Sequence, residues 1–239
     1  MMGETSVKFL EHFVRTTSDF SARLLTDYDV NEVLEELAER QTELLDLLGS
    51  GVSLARGDRL EAVTAVPHLI VPLEKQQELD QSGPCLEAFR TGRIESIDDL
   101  ASEDRWPTYL RIARDQGIRA VAAVPMRLND QPIGALNLYC GRPRAWSEQD
   151  LSAALALANM ATAFIINASS LAKQTLLAEQ LQQALDTRVL LEQAKGVLAE
   201  AHAISVEEAF RSIRRFARAR RVSLHEVANA VVHMGVRLT

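Results

Sequence analysis

The stretch AVAAVPMRLNDQPIGALNLYC, residues 120–140, decides the fold. Two apolar runs, 120–127 and 132–140, flank Leu128-Asn129-Asp130-Gln131. Asn and Asp suit a tight turn, and Pro132 follows it. Strand, turn, strand is the pattern of an antiparallel pair. A second one lies upstream. Val52-Ser53-Leu54-Ala55 and the run 60–66 flank Arg56-Gly57-Asp58-Arg59, where Gly-Asp supplies the turn. Around these hairpins the spacing predicts helices over 3–24, 30–48, 84–90 and 106–116, and a short strand over 93–97. Gly49-Ser50-Gly51 reads as the breaker that stops the second helix, and Gly117 ends the fourth. Antiparallel pairing between short helices is an α+β unit and not a βαβ repeat.

The pattern changes after Arg144. From there to Lys195 the chain has no Gly and no Pro, and Ser147 with Asp150 can cap a helix start. A helix from there to residue 201 would run on the order of 80 Å, too long to pack on one small domain, so it should link two. In its middle Leu171, Ala178 and Leu185 recur every seven residues, with Leu181 between them. This is a weak coiled-coil seam, diluted by Gln174 and Arg188; it predicts a homodimer, against the plainer reading of a lone amphipathic linker. Ser169-Ser170 is the place where such a helix could break.

Two capping boxes follow, Ser205-Val206-Glu207-Glu208 and Ser223-Leu224-His225-Glu226. They start helices over 206–220 and 224–234, so the C-terminus is a three-helix bundle. On the middle helix Arg211, Arg214, Arg215 and Arg218 fall within about 60° of one another, opposite Ala209, Phe210, Ile213, Phe216 and Ala217. No acid lies between Glu208 and Glu226, and Arg220 and Arg221 extend the positive stretch. A solvated face usually mixes signs, because like charges at i,i+4 repel. A row of unneutralised guanidiniums points to an anionic partner, against the plainer reading of a face paired with acids from elsewhere in the chain. On the preceding helix Arg188 and Lys195 share a face, and Gly196 sits mid-helix, where it costs about 1 kcal/mol relative to Ala. Close packing of a neighbouring helix, or of a phosphate backbone, would explain it.

The net charge is −7 over 239 residues. It is unevenly spread: residues 183–239 hold nine Lys and Arg against six Asp and Glu, which leaves −10 for the rest. An acidic body carries a basic reader. Two cysteines, Cys85 and Cys140, make neither a disulfide framework nor a four-ligand zinc site. The five histidines lack metal-site spacing, and no phosphate loop or nucleophile set is present, so an enzyme is not expected. The apolar run 151–166 is shorter than a membrane span and holds Asn159 and Thr162. No signal peptide is visible. Together these predict a cytoplasmic protein with no membrane segment and no metal.

The C-terminal residues resemble a known family. Leu185-Asp186-Thr187-Arg188, Gln193-Ala194-Lys195-Gly196-Val197-Leu198, Glu208-Ala209-Phe210, Ile213-Arg214 and Val227-Ala228 resemble the ANTAR domain, in order and at its spacing. The resemblance implies a three-helix RNA-binding module. ANTAR proteins bind paired hairpins in nascent leader RNA, usually as dimers, and so prevent a terminator from forming. It points to Arg188, Ala194, Lys195 and Gly196 as RNA contacts. Charge geometry adds Arg211, Arg214, Arg215 and Arg218.

The middle of the chain resembles the GAF domain. The segments are 82–92 with Cys85, Asp98-Asp99-Leu100 with Arg105-Trp106-Pro107, and Ala123-Val124-Pro125-Met126 with 133–138. The resemblance implies an antiparallel sheet flanked by helices, with a small-molecule pocket on one face. Cys85, Trp106, Tyr109 and Met126 are candidates to line it, against the plainer reading that all four are core. No cofactor is expected, and the nature of any GAF ligand is open. The expected organisation is an N-terminal helical segment (1–29), a GAF-like sensor (30–166), a helical linker (167–184) and an ANTAR bundle (185–239). Two other readings compete with the RNA antiterminator: a DNA-binding regulator, and a GAF-based protein-interaction module.

Overall fold

The structure, a computed structural model, describes residues 2–129 and 131–238. The chain divides into two compact units, 1–168 and 169–239. The first is α+β. Its elements are α1 (Met2–Arg23), α2 (Val30–Leu44), β1 (Gly49–Arg56), β2 (Arg59–Val66), α3 (Val71–Asp80), α4 (Pro84–Thr91), β3 (Glu95–Ile97), α5 (Pro107–Asp115), β4 (Ala120–Leu128) and β5 (Gln131–Cys140). A long helix, α6 (Glu148–His202), then runs on into the second unit, followed there by α7 (Val206–Arg220) and α8 (Leu224–His233).

The five strands form one sheet in the order β2-β1-β5-β4-β3, every neighbour antiparallel. The central hairpin falls where the sequence puts it. Leu128 pairs with Gln131, and Asn129 takes the left-handed conformation at φ 54°. Asp130 of the expected turn lies outside the described residues.

Alternation along the strands sends side chains to two faces. Val52, Ala122, Val124, Met126, Leu136 and Leu138 meet α2 and the start of α6, where Val33, Leu34, Leu37, Leu157, Ala161 and Phe164 complete a buried core. Asp29 caps α2 by accepting from the Asn31 and Glu32 N–H groups. Ser147 and Asp150 cap α6 reciprocally. Helices α3, α4 and α5 cover the other face, with Ile70, Leu73, Trp106, Tyr109, Val121 and Tyr139 in one cluster.

Three expectations need correction. First, Gly49-Ser50-Gly51 does not break a helix: α2 ends at Leu44, and these residues open β1. They are small because the strand is crowded. A Cβ on Gly49 would lie 2.6 Å from the Val66 carbonyl oxygen, and one on Gly51 would lie 2.1 Å from Glu74 Oε1. Second, α3 occupies a stretch for which the spacing predicts no element, because its buried side chains include Glu74 and Gln77 as well as Leu73. Third, Ser169-Ser170 does not interrupt α6.

One 18-residue window of α6 has a mean hydropathy of 1.6, long and apolar enough to cross a membrane by composition. Many of its apolar side chains, from Ala153 to Phe164, are core residues of the first unit.

Candidate nucleic-acid interface

The C-terminal unit is built from the end of α6, α7 and α8. Both capping boxes close as the sequence predicts. Ser205 Oγ accepts from the Glu208 N–H while the Glu208 carboxylate accepts from the Ser205 N–H, and Ser223 and Glu226 do the same. These bonds hold the Glu208 and Glu226 carboxyls below their ordinary range. The core is Ala194, Leu198, Ala209, Ile213, Ala217, Val227, Ala228, Val231 and Leu238. Alanines at the crossings let the helices approach closely.

This core corrects one predicted contact. Ala194 is fully buried, so its side chain offers no surface to a ligand. Its role is helix packing. Gly196 behaves in the opposite way. It is exposed, and a Cβ there would meet nothing within 4 Å. Close packing therefore does not explain it, and its backbone is open beside Lys195.

The other predicted contacts are on the surface. Arg188, Arg211, Arg214, Arg215 and Arg218 are all exposed. Arg211 lies 3.9 Å from Glu208, a loose pair between exposed side chains that adds little. Among the described residues no carboxylate comes within ion-pair distance of Arg188, Arg214, Arg215 or Arg218. Lys195 is held differently: its ammonium donates to both Glu192 oxygens at 2.8 Å. An i,i+3 pair of this kind is exchanged at little cost.

Phe210, expected in the core, is only half-buried. Lys195 Nζ lies 5.4 Å from its ring centroid and Arg214 Cζ 5.5 Å. Both fall within cation–π range. One ring therefore joins the cation of α6 to the arginine row of α7, making a single positive surface across two helices. Sequence periodicity places Phe210 on the apolar side and carries no sign of this bridging.

The four candidate pocket residues of the first unit do not come together. Met126 is on the sheet face covered by α2 and α6. Trp106 and Tyr109 pack on the opposite face, and Cys85 sits there in a cluster with Leu60, Leu86 and Ala135. All four are buried. The period-two alternation of β4 puts Met126 out of reach of the other three. Burial also pushes the Cys85 thiol far above its ordinary value, which suits an inert core residue. A recess of about 230 Å³ is lined by Leu100, Ala101, Leu110, Arg114, Ile118 and Arg119, with none of the four among them.

The opposite face instead holds a polar cluster with no signature in the sequence. Glu74 is 1% exposed. Its carboxylate accepts from Asn137 Nδ2 at 2.9 and 3.0 Å, from the Tyr139 hydroxyl at 2.9 Å and from Ser53 Oγ at 3.3 Å. No cation is among these partners. Burial outweighs the hydrogen bonds and raises the carboxyl to about 7. Gly51 gives the side chain room. Among the described residues, no group of three or more His, Cys, Asp or Glu could hold a metal ion.

Models of known families match in two places. The GAF domain model covers residues 27–165, more than half of the chain, and the ANTAR domain model covers residues 179–232. The chain belongs to the GAF family and carries an ANTAR domain. Solved structures agree on the fold of the GAF domain. The A. aeolicus nlh2 GAF domain in an inactive state is 14% identical, with a TM-score of 0.52 over 66% of this chain and 97% of that one. Free methionine-R-sulfoxide reductase from Neisseria meningitidis, in complex with its substrate, is 16% identical, with a TM-score of 0.51 over 66% and 90%. The GAF domain of an Acinetobacter phosphoenolpyruvate-protein phosphotransferase is 12% identical, with a TM-score of 0.51 over 67% and 94%. At these identities the likeness shows the fold alone. No curated protein matches the chain.

GAF and ANTAR are regulatory domains, and the ANTAR domain is an RNA-binding antiterminator type. The architecture of this GAF–ANTAR protein is therefore that of an RNA-binding regulator. Its positive surface of Arg188, Lys195, Phe210 and the α7 arginines lies within the ANTAR domain.

Proposed function

We propose that the protein is a signal-responsive transcription antitermination regulator. As a homodimer it holds tandem hairpins in nascent leader RNA with its two ANTAR domains, and so keeps a terminator from forming. The GAF domain controls this through α6, by a small-molecule ligand or a partner. A protein that acts on nascent bacterial-type leader transcripts would do so in the cytoplasm. Both domains act by binding, and neither is expected to catalyse a reaction.

The observation that carries this reading is the unopposed arginine surface of the ANTAR domain. Arg214, Arg215 and Arg218 stand in a row with no carboxylate within ion-pair distance among the described residues, in a protein whose net charge is −7. Guanidiniums left this way favour phosphate oxygens, which they can meet in pairs. Hairpins offer such oxygens along the stem and unstacked bases in the loop.

The dimer rests on a second feature. Along α6, Leu171, Leu181 and Leu185 are each more than half exposed, as are Leu177 and Val189 on the same side of the helix. An apolar strip of this length on a free helix suits pairing with the same strip of a second copy. Two weak hairpin sites joined in this way gain through effective concentration.

The test is a titration of the full chain with tandem-hairpin RNA and with duplex DNA of equal phosphate number, over a series of salt concentrations. The expected result is preference for the RNA, with affinity falling steeply as salt rises. Preference for duplex DNA would favour a DNA-binding regulator. Loss of salt-dependent binding to both would leave the arginines as a protein-docking face.

A further inference from the structure

At the end of α7 the chain makes a turn that its sequence does not favour. Arg221 takes the left-handed conformation, φ 55° and ψ 38°. Glycine adopts it freely and an L side chain does so under strain. The backbone bonds of the turn, Arg221 N–H to Arg218 O and Val222 N–H to Ala217 O, would form equally well with Gly at 221. A strained arginine without an ion-pair partner among the described residues suggests that its side chain is kept for another purpose.

That side chain borders a recess of about 360 Å³, lined by Arg214, Ala217, Arg218, Arg221, Val222 and Leu224. Its size is at the lower end for small-ligand sites. The lining has two parts. Ala217, Val222 and Leu224 make an apolar floor. Arg214, Arg218 and Arg221 make a rim of three positive charges. Leu224 is the first residue of α8, so the partial positive charge of that helix end also faces the recess. Glu226, the acid of the first turn of α8, is committed to the Ser223 cap. Arg220, next in sequence, lies over the Phe216 ring at 5.6 Å and is not part of the lining.

We propose that this recess holds one unstacked nucleotide of the bound RNA, its base on the apolar floor and its phosphate between the arginines. The proposal rests on the RNA reading and adds a specificity subsite to it. A phosphate alone would leave the apolar floor uncovered. A base inside a stem is stacked and paired and cannot enter, whereas a loop base can. Arg214 belongs both to this rim and to the Phe210 bridge, so the subsite continues the main positive surface.

The test starts from a pool of tandem-hairpin RNAs with randomised loops, selected on the full-length protein. The tightest member is remade with an abasic site at each loop position in turn, and binding is measured with the parent protein and with Arg221→Gly. With the parent, one loop position should cost about tenfold or more when its base is removed. Arg221→Gly should bind about tenfold more weakly, lose the sensitivity at that position and keep it elsewhere. Its melting temperature should hold or rise, because Gly relieves the left-handed strain. Val222→Trp, which fills the recess, should give the same abasic pattern. The subsite is overturned if Arg221→Gly binds as the parent does, or binds more weakly with its abasic profile unchanged. A selection that enriches no RNA with the parent overturns the RNA reading itself, and the subsite with it.

Discussion

Arginine is used in two ways in this molecule. In the first unit most arginines close on carboxylates. Arg56 meets Glu61 at 3.0 Å, Arg119 meets Asp99 at 3.0 Å, Arg142 meets Asp46 at 2.6 Å and Arg144 meets Asp150 at 3.0 Å. Arg105 meets both Glu95 at 2.7 Å and Glu103 at 2.6 Å, and holds the Glu103 carboxyl down at about 2. In the ANTAR domain Arg188, Arg214, Arg215 and Arg218 close on none of the described acids. These arginines find their counter-charges within the first unit, whose remaining charge is an excess of acid. The second displays charge that only a partner can satisfy. The acidic body also repels polyanions.

The largest effect should come from removing that display. Replacing Arg214, Arg215 and Arg218 together with Ala should weaken tandem-hairpin binding by about a thousandfold, since each charged contact is worth more than 1 kcal/mol. The slope of log affinity against log salt should fall by about 2. The helical circular dichroism signal should stay, because none of the three is buried. Loss of the same affinity on replacing Arg56, Arg119 and Arg142 with Ala would break the contrast.

Glu74 tests the other side, because it is a buried acid of the first unit with no cation among its described partners. Its carboxyl is raised to about 7 from an ordinary 4.5. Between those values the folded chain keeps a proton that the unfolded chain releases. Stability is therefore full below about pH 4.5 and falls as pH rises toward 7, by about 3 kcal/mol in all. Urea unfolding of the GAF domain at pH 5 and pH 8 should show this loss, and Glu74→Gln should remove it. A parent equally stable at both values would mean that the carboxylate is compensated as fully as the surface pairs are.

Pairing of the α6 strip comes next. Leu181→Glu with Leu185→Glu should give a monomer by analytical ultracentrifugation. It should cost about 100-fold in affinity for two linked hairpins and almost nothing for one hairpin. Equal losses on both would place the leucines in the ANTAR fold instead. The smallest effect is at Gly196. Gly196→Ala should stabilise the C-terminal unit by about 1 kcal/mol and yet lower RNA affinity severalfold. A rise in stability with no change in binding would remove Gly196 from the interface.

How much was legible in the sequence differs between the two regions in the same way. The ANTAR domain is held by local rules. Ser205 with Glu208, and Ser223 with Glu226, announce their helices within four residues, and the arginine row follows from helical spacing alone. The central hairpin of the GAF domain is also local. What escaped was tertiary. Gly49 and Gly51 read as a helix breaker because nothing nearby in sequence reveals that the Val66 carbonyl and the Glu74 carboxylate will press against them. Glu74 itself lies in Leu73-Glu74-Lys75-Gln76-Gln77-Glu78, a polar stretch for which the spacing predicts no element. Its partners Ser53, Asn137 and Tyr139 arrive from strands 21 to 65 residues away. Ala194 entered the contact set through the family resemblance alone; its helical position, opposite Arg188 and Lys195, already put it on the apolar side where the structure buries it. Arg221 was visible as charge, while its left-handed backbone was not.

The most direct measurement is sequencing of RNA crosslinked to the full-length protein in cells, beside the Arg214, Arg215 and Arg218 triple-alanine variant. We expect paired hairpins upstream of terminators to be enriched with the parent and lost with the variant. Recovery at background with the parent, or the same hairpins recovered equally by both proteins, would show that the unopposed arginines of the ANTAR domain are not what holds RNA.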